Sequence, residues 1–124
     1  MRVLYVEDDP SSQRLVQRGL EHEGFDVTVA DNGLRAIELL KKQVFDVLVL
    51  DIMMPGIDGF QVGRSARRDS KNRDIPIIFL TAHSFALREA DAKWLEPVAS
   101  LTKPVKMAKL VQALHRVEPK TEQS

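Results

Sequence analysis

Asp51 follows the apolar run Phe45-Asp46-Val47-Leu48-Val49-Leu50. A carboxylate at that point is expected where a buried strand comes to the surface, outside the core. A second apolar run, Val3-Leu4-Tyr5-Val6, also ends in acids, Glu7, Asp8 and Asp9. If the two strands lie side by side and parallel, these carboxylates gather at one sheet edge. Such crowding is unfavourable without a cation, and it points to a metal and to phosphate chemistry. A carboxylate can act as a nucleophile towards phosphorus. Mg²⁺ suits the donor set, because it prefers oxygen ligands and keeps several waters. Asp8 and Asp51 are the expected direct ligands. Glu7 is expected to act through water, and the backbone carbonyl of Met53 to complete the protein's share. Thr81 ends the apolar run Ile77-Ile78-Phe79-Leu80, and Lys103 follows Val98-Ala99-Ser100-Leu101. A lysine there can bind a phosphoryl oxygen as a point charge, and the threonine can hydrogen-bond another.

Those residues converge only if the strands run parallel, and the pattern of the chain says that they do. Apolar runs alternate with segments of helical period. Asp9-Pro10 offers a cap with proline at the first helical position. Leu15, Val16 and Leu20 are the expected apolar face of that helix, and Gly24 its end. Val27-Thr28-Val29 reads as a strand. Asn32-Gly33 is a turn or cap before a helix carrying Ala36, Ile37, Leu39 and Leu40. Val47 to Leu50 does not alternate, so it is a strand buried on both faces. Asp58 can cap a helix with Phe60, Val62 and Ala66. Pro76 precedes the fourth strand, residues Ser84 to Trp94 read as a weaker helix, Val98 to Leu101 as a fifth strand, and Val105 to Val117 as a last helix with Leu110, Val111 and Leu114 on one face. Five strands alternating with five helices imply an α/β fold with a parallel sheet covered on both faces. Ligands in such sheets bind beyond the carboxyl ends of the strands.

Composition narrows the alternatives. The 124 residues suit one domain, with Glu118 to Ser124 as a disordered polar tail. Eighteen basic residues balance eighteen acidic ones, which removes a bulk electrostatic case for nucleic acid or anionic membrane. There is no cysteine, which excludes disulfides and thiolate sites and fits a cytoplasmic location. The chain opens directly into a strand rather than a signal peptide, and no apolar run approaches the roughly 20 residues of a membrane span. His22, His83 and His115 lack the spacing of a zinc site. The basic stretch Arg64 to Arg73 is expected to be the wet face of a helix and its loop. Trp94 is balanced between packing and a partner surface.

Taken in order, Val6-Glu7-Asp8-Asp9, Asp51-Ile52-Met53-Met54-Pro55-Gly56-Ile57-Asp58-Gly59, Thr81-Ala82 and Lys103-Pro104 resemble the receiver domain of the response regulators of bacterial two-component systems. The resemblance runs from about Arg2 to Val117. It implies a flavodoxin-like doubly wound (βα)5 fold with strand order 2-1-3-4-5. It implies that Asp51 accepts a phosphoryl group from a phosphohistidine on a sensor kinase or a phosphotransfer protein, and that Glu7, Asp8, Asp51 and the Met53 carbonyl organise Mg²⁺. Thr81 would swing towards the acyl phosphate, Lys103 would pair with it, and the Lys103-Pro104 bond would be cis. It further implies self-catalysed phosphorylation and dephosphorylation rather than enzyme turnover, and signalling to a downstream protein target. Gln13, Arg14, Gln17 and Arg18 on the first helix are the candidates for choosing a kinase.

Two features depart from the family pattern. Ser100 stands where receivers usually carry Tyr or Phe, and Glu96-Pro97 replaces a usual Gly-Ala pair. The expectation is a phosphorylation site without the aromatic switch. Met53 and His83 occupy the positions that tune acyl phosphate lifetime in the family. Two further readings stay open: a degenerate receiver that binds partners without phosphorylation, and a receiver belonging to a larger regulator or hybrid kinase, against the single-domain reading preferred here. An aspartate-nucleophile phosphatase of the haloacid dehalogenase type would want a second aspartate where Met53 stands.

Overall fold

The computed structural model describes residues 1–68, 71–81 and 94–117. In chain order these form β1 (Arg2–Val6), α1 (Pro10–His22), β2 (Asp26–Ala30), α2 (Gly33–Lys42), β3 (Val47–Asp51), α3 (Gly59–Arg68), β4 (Ile77–Thr81), β5 (Ala99–Thr102) and α4 (Met107–Leu114). The expected helix from Ser84, with Ala82, His83 and the polar tail, lies outside the described residues.

All strand pairs are parallel, in the order β2-β1-β3-β4-β5. This is the expected flavodoxin-like order, and it places the ends of β1 and β3 side by side. The register pairs Val6 with Leu50, so Glu7 and Asp51 leave the sheet as neighbours. Every residue of β3 and of β4 is buried, as strands covered on both faces must be. One face packs Leu4, Val6, Leu48, Leu50 and Phe79 against α2 and α3. The other packs Val3, Tyr5, Val49, Ile78 and Leu80 against Val16 and Leu20 of α1 and Leu110, Ala113 and Leu114 of α4.

The helix starts follow the sequence closely. The Asp9 carboxylate accepts from the Ser12 N–H at 2.9 Å, and Asn32 accepts from the Arg35 N–H at 2.8 Å. Asp58 and Gln61 form a reciprocal capping box, each accepting the other's N–H at 2.9 Å. Gly24 ends α1 with φ +92°, a conformation that favours glycine.

Several readings need correction. Leu15 is not part of the buried face of α1; it is 67% exposed, and the packed stripe is Val16 and Leu20. Adjacent helical residues point about 100° apart, so with Val16 and Leu20 turned to the sheet Leu15 lies at the rim of that stripe. The Arg64–Arg73 stretch is not simply a wet face. The Arg67 guanidinium donates to the carbonyls of Ile75 at 2.6 Å, Leu95 at 3.0 Å and Arg73 at 3.2 Å. It thereby ties α3 to the chain before β4 and to the segment before β5. Burial lowers the pKa of this guanidinium. The last helix is also shorter than expected, and β5 begins at Ala99 rather than Val98.

Candidate active site

The site lies at the carboxyl ends of β1, β3, β4 and β5. Asp51 is the last residue of β3 and is 2% exposed. It is therefore buried at the strand end rather than surfacing there, and that burial changes its chemistry. Glu7, one residue past β1, is also buried, while Asp8 is exposed. One carboxylate oxygen from each of Glu7, Asp8 and Asp51 lies within 4.8 Å of the others. Thr81 closes β4 and is fully buried beside them, paired in register with Thr102.

Lys103 reaches this cluster because its N–H continues the ladder, donating to the Thr81 carbonyl at 2.7 Å. Its ammonium then bridges two acids, Glu7 Oε1 at 2.8 Å and Asp51 Oδ2 at 3.2 Å. The Lys103-Pro104 bond is cis, as expected.

Glu7 is held from several sides. Its Oε1 also accepts from the Tyr5 hydroxyl at 3.3 Å, and its Oε2 from the Asp9 N–H at 3.3 Å. Glu7 is also a buried partner of a lysine 96 residues away. Nothing in the local sequence marks that pairing. Tyr5 was read only as part of a strand, although a tyrosine two residues before a strand-end acid shares its face.

The electrostatics divide the two buried acids. Burial, and then the hydrogen bond and charge of Glu7, raise the Asp51 pKa from an ordinary 3.8 to about 7, against the pull of Lys103. Burial acts to raise Glu7 too, but its hydrogen bonds with Asp51 and Lys103 outweigh burial and lower it. Glu7 thus carries the negative charge while Asp51 holds a proton readily. Burial alone would lower Lys103, but its bonds to Glu7 and Asp51 raise it, so the ammonium stays charged. The Tyr5 phenol is raised by burial and by Glu7, and stays a donor.

The loop after Asp51 is tightly folded. Met53 donates its N–H to Asp51 Oδ1 at 3.2 Å, and its side chain is exposed at the mouth of the site. Gly59 allows α3 to start against this loop: a Cβ there would lie 2.6 Å from the Asp51 carbonyl oxygen and 2.8 Å from the Ile52 Cα. Chemically, the cluster is an all-oxygen, anionic pocket beside a lysine. That donor set fits a hard divalent cation such as Mg²⁺.

Ser100 is exposed on β5, and Trp94 is 53% exposed. Gln13 donates its side-chain amide to the Glu7 carbonyl, which ties this α1 candidate to the site. No helix among the described residues is long and apolar enough to cross a membrane.

Comparison with known proteins agrees with this geometry. The family model for the response regulator receiver domain matches residues 3–115. Protein PilH of Pseudomonas aeruginosa is 33% identical over 119 residues, which cover 94% of this chain and 96% of PilH. The chemotaxis protein CheY4 of Vibrio cholerae superposes with a TM-score of 0.87 at 30% identity, covering 94% of this chain and 98% of that one. The receiver domain of the sensor histidine kinase PA1611 of P. aeruginosa, solved with a magnesium ion in its active site cleft, superposes with a TM-score of 0.84 at 30% identity, covering 93% and 94%. The chain spans only 34% and 44% of the length of two transcriptional regulators it also matches, and 13% of a sensor protein. By motif, sheet order and strand-end chemistry together, this chain belongs to the response regulator receiver domains of two-component signalling.

Proposed function

We propose that the protein accepts a phosphoryl group on Asp51 from the phosphohistidine of a sensor kinase or phosphotransfer protein, in a Mg²⁺-dependent reaction, and signals through altered contacts with a protein target. The observation that carries this reading is the Lys103 ammonium bridging Glu7 and Asp51 at 2.8 and 3.2 Å. A cation already sits between buried carboxylates, where a transferred phosphoryl group would need one.

An Asp51 oxygen attacks phosphorus, the P–N bond to the imidazole breaks, and the imidazole nitrogen keeps the electron pair. The product is an acyl phosphate. Asp51 must be ionised to attack, and Lys103 and a second cation favour that form. Glu7, Asp8 and Asp51 would hold Mg²⁺, with the Met53 carbonyl as a further donor. The ion supplies charge neutralisation for the carboxylates and the phosphoryl oxygens. Lys103 can follow the phosphoryl group as its partner, and Thr81 can donate its hydroxyl to it. With Ser100 in place of the aromatic, the response is read out without rotation of a ring at that position.

The test is phosphotransfer from purified histidine kinases of the source organism. Rapid transfer from a cognate kinase to the wild type and none to Asp51→Asn is expected. Equal labelling of both proteins would overturn the assignment of Asp51.

A further inference from the structure

Tyr5 is the one large polar side chain in the middle of β1, and its ring is fully buried. Its hydroxyl donates to Glu7 Oε1 at 3.3 Å, the same oxygen that receives the Lys103 ammonium at 2.8 Å. Two donors on one buried oxygen matter when one of them has a second task. Lys103 also contacts Asp51 at 3.2 Å, and it is the residue placed to follow a phosphoryl group added there. If Lys103 turns to that group, Glu7 Oε1 loses its stronger partner inside a buried site. A buried carboxylate oxygen left without a donor is unfavourable, and more so than a neutral one.

We propose that Tyr5 is a positioning residue whose hydroxyl keeps Glu7 Oε1 partnered when Lys103 turns to the phosphoryl group. Tyr5 lies in β1 two residues before Glu7, which follows the strand end, and its buried hydroxyl reaches Glu7 at 3.3 Å. The strand fixes it, and the packing of its ring against the apolar layer holds it there. Tyr5 therefore makes the transfer of Lys103 easier without touching the phosphoryl group itself. This inference rests on the phosphoacceptor reading of Asp51.

Water is the competing donor. A recess of about 100 Å³ opens beside Glu7, lined by Tyr5, Ser12, Leu15, Val16 and Lys103, and it is roomy enough for water. The experiment separates the two. Beryllium fluoride with saturating Mg²⁺ serves as the phosphoryl mimic, and its affinity is measured by calorimetry for the wild type and Tyr5→Phe. Removal of the hydroxyl should weaken binding roughly ten- to a hundredfold, the effect of one lost hydrogen bond to a charged group. In EDTA, urea unfolding is measured for the same pair and for both on a Lys103→Ala background. Tyr5→Phe should shift the midpoint little while Lys103 is present, and clearly once Lys103 is gone.

Unchanged affinity for the mimic in Tyr5→Phe would mean that solvent in the recess does the work, and would overturn the inference. Equal midpoint shifts on the two backgrounds would assign Tyr5 to packing alone and overturn it too. A wild-type protein that takes no beryllium fluoride would overturn the phosphoacceptor reading and this inference with it. Normal wild-type binding with an unaffected Tyr5→Phe would overturn this inference alone.

Discussion

Asp51 holds its proton up to about pH 7 because it is buried next to the charged Glu7. That has a consequence for stability. In the unfolded chain an aspartate loses its proton near its ordinary 3.8, whereas folded Asp51 keeps it until about 7. Below both values the group is neutral in either state and its contribution to stability is complete. Between them the unfolded chain alone is ionised, and that stability is lost as pH rises. In EDTA, Asp51→Asn should therefore gain on the wild type as pH rises from 4 to 8, which thermal melts at the two pH values will show. A gap independent of pH would contradict the shift. Lys103→Ala strips the ammonium from the 1% exposed Glu7. It should cost about 3 kcal/mol in EDTA, with part of the loss recovered in Mg²⁺; urea unfolding in both buffers checks it. An identical loss in both would mean that Lys103 and the metal do not share the cluster. The acids and the lysine were legible because each follows an apolar run. Their burial and pairing were not, because the bond from Lys103 to Glu7 spans 96 positions.

Elements hold the site through contacts that local pattern shows unevenly. The caps at Asp9, Asn32 and Asp58 were readable, since residue type and position define a cap. Asn72 was not. Its buried side chain accepts from the Phe45 N–H and donates to the carbonyls of Leu40 and Gln43, joining the end of α2 to the approach to β3. A lone asparagine in a loop carries no sign of such partners. Asn72→Ala should destabilise by about 3 kcal/mol, as the backbone groups of Phe45, Leu40 and Gln43 each lose a partner. An unchanged urea midpoint would contradict that role. Arg67 was misread for the same reason, as a long side chain can fold back onto distant carbonyls. Gly59 lets the start of α3 lie against Asp51 and Ile52. Gly59→Ala should cost about 1–3 kcal/mol through overpacking and weaken Mg²⁺ binding, because the clash falls on Asp51 and Ile52 themselves. Calorimetric Mg²⁺ titration checks this, and wild-type affinity would refute it.

At the scale of the molecule, alternating strand and helix patterns foretold the parallel sheet, and the resemblance supplied its order. The order makes the site: β1 and β3 are adjacent, so their terminal acids meet, and β4 and β5 bring Thr81 and Lys103 to the same edge. Side-chain packing around the edge was less legible, since Leu15 faces outward and Gln13 inward for reasons that lie in other elements. Exposed Ser100 on β5 leaves no ring there to report the state of the site. The central claim is that this edge makes Asp51 a phosphoacceptor. It is tested most directly by incubating the protein with phosphoramidate and Mg²⁺ and measuring the intact mass. The expected result is the gain of a single phosphoryl group by the wild type, lost on adding EDTA beforehand and absent from Asp51→Asn. An unmodified wild type, or an Asp51→Asn protein that gains the same mass, would contradict it.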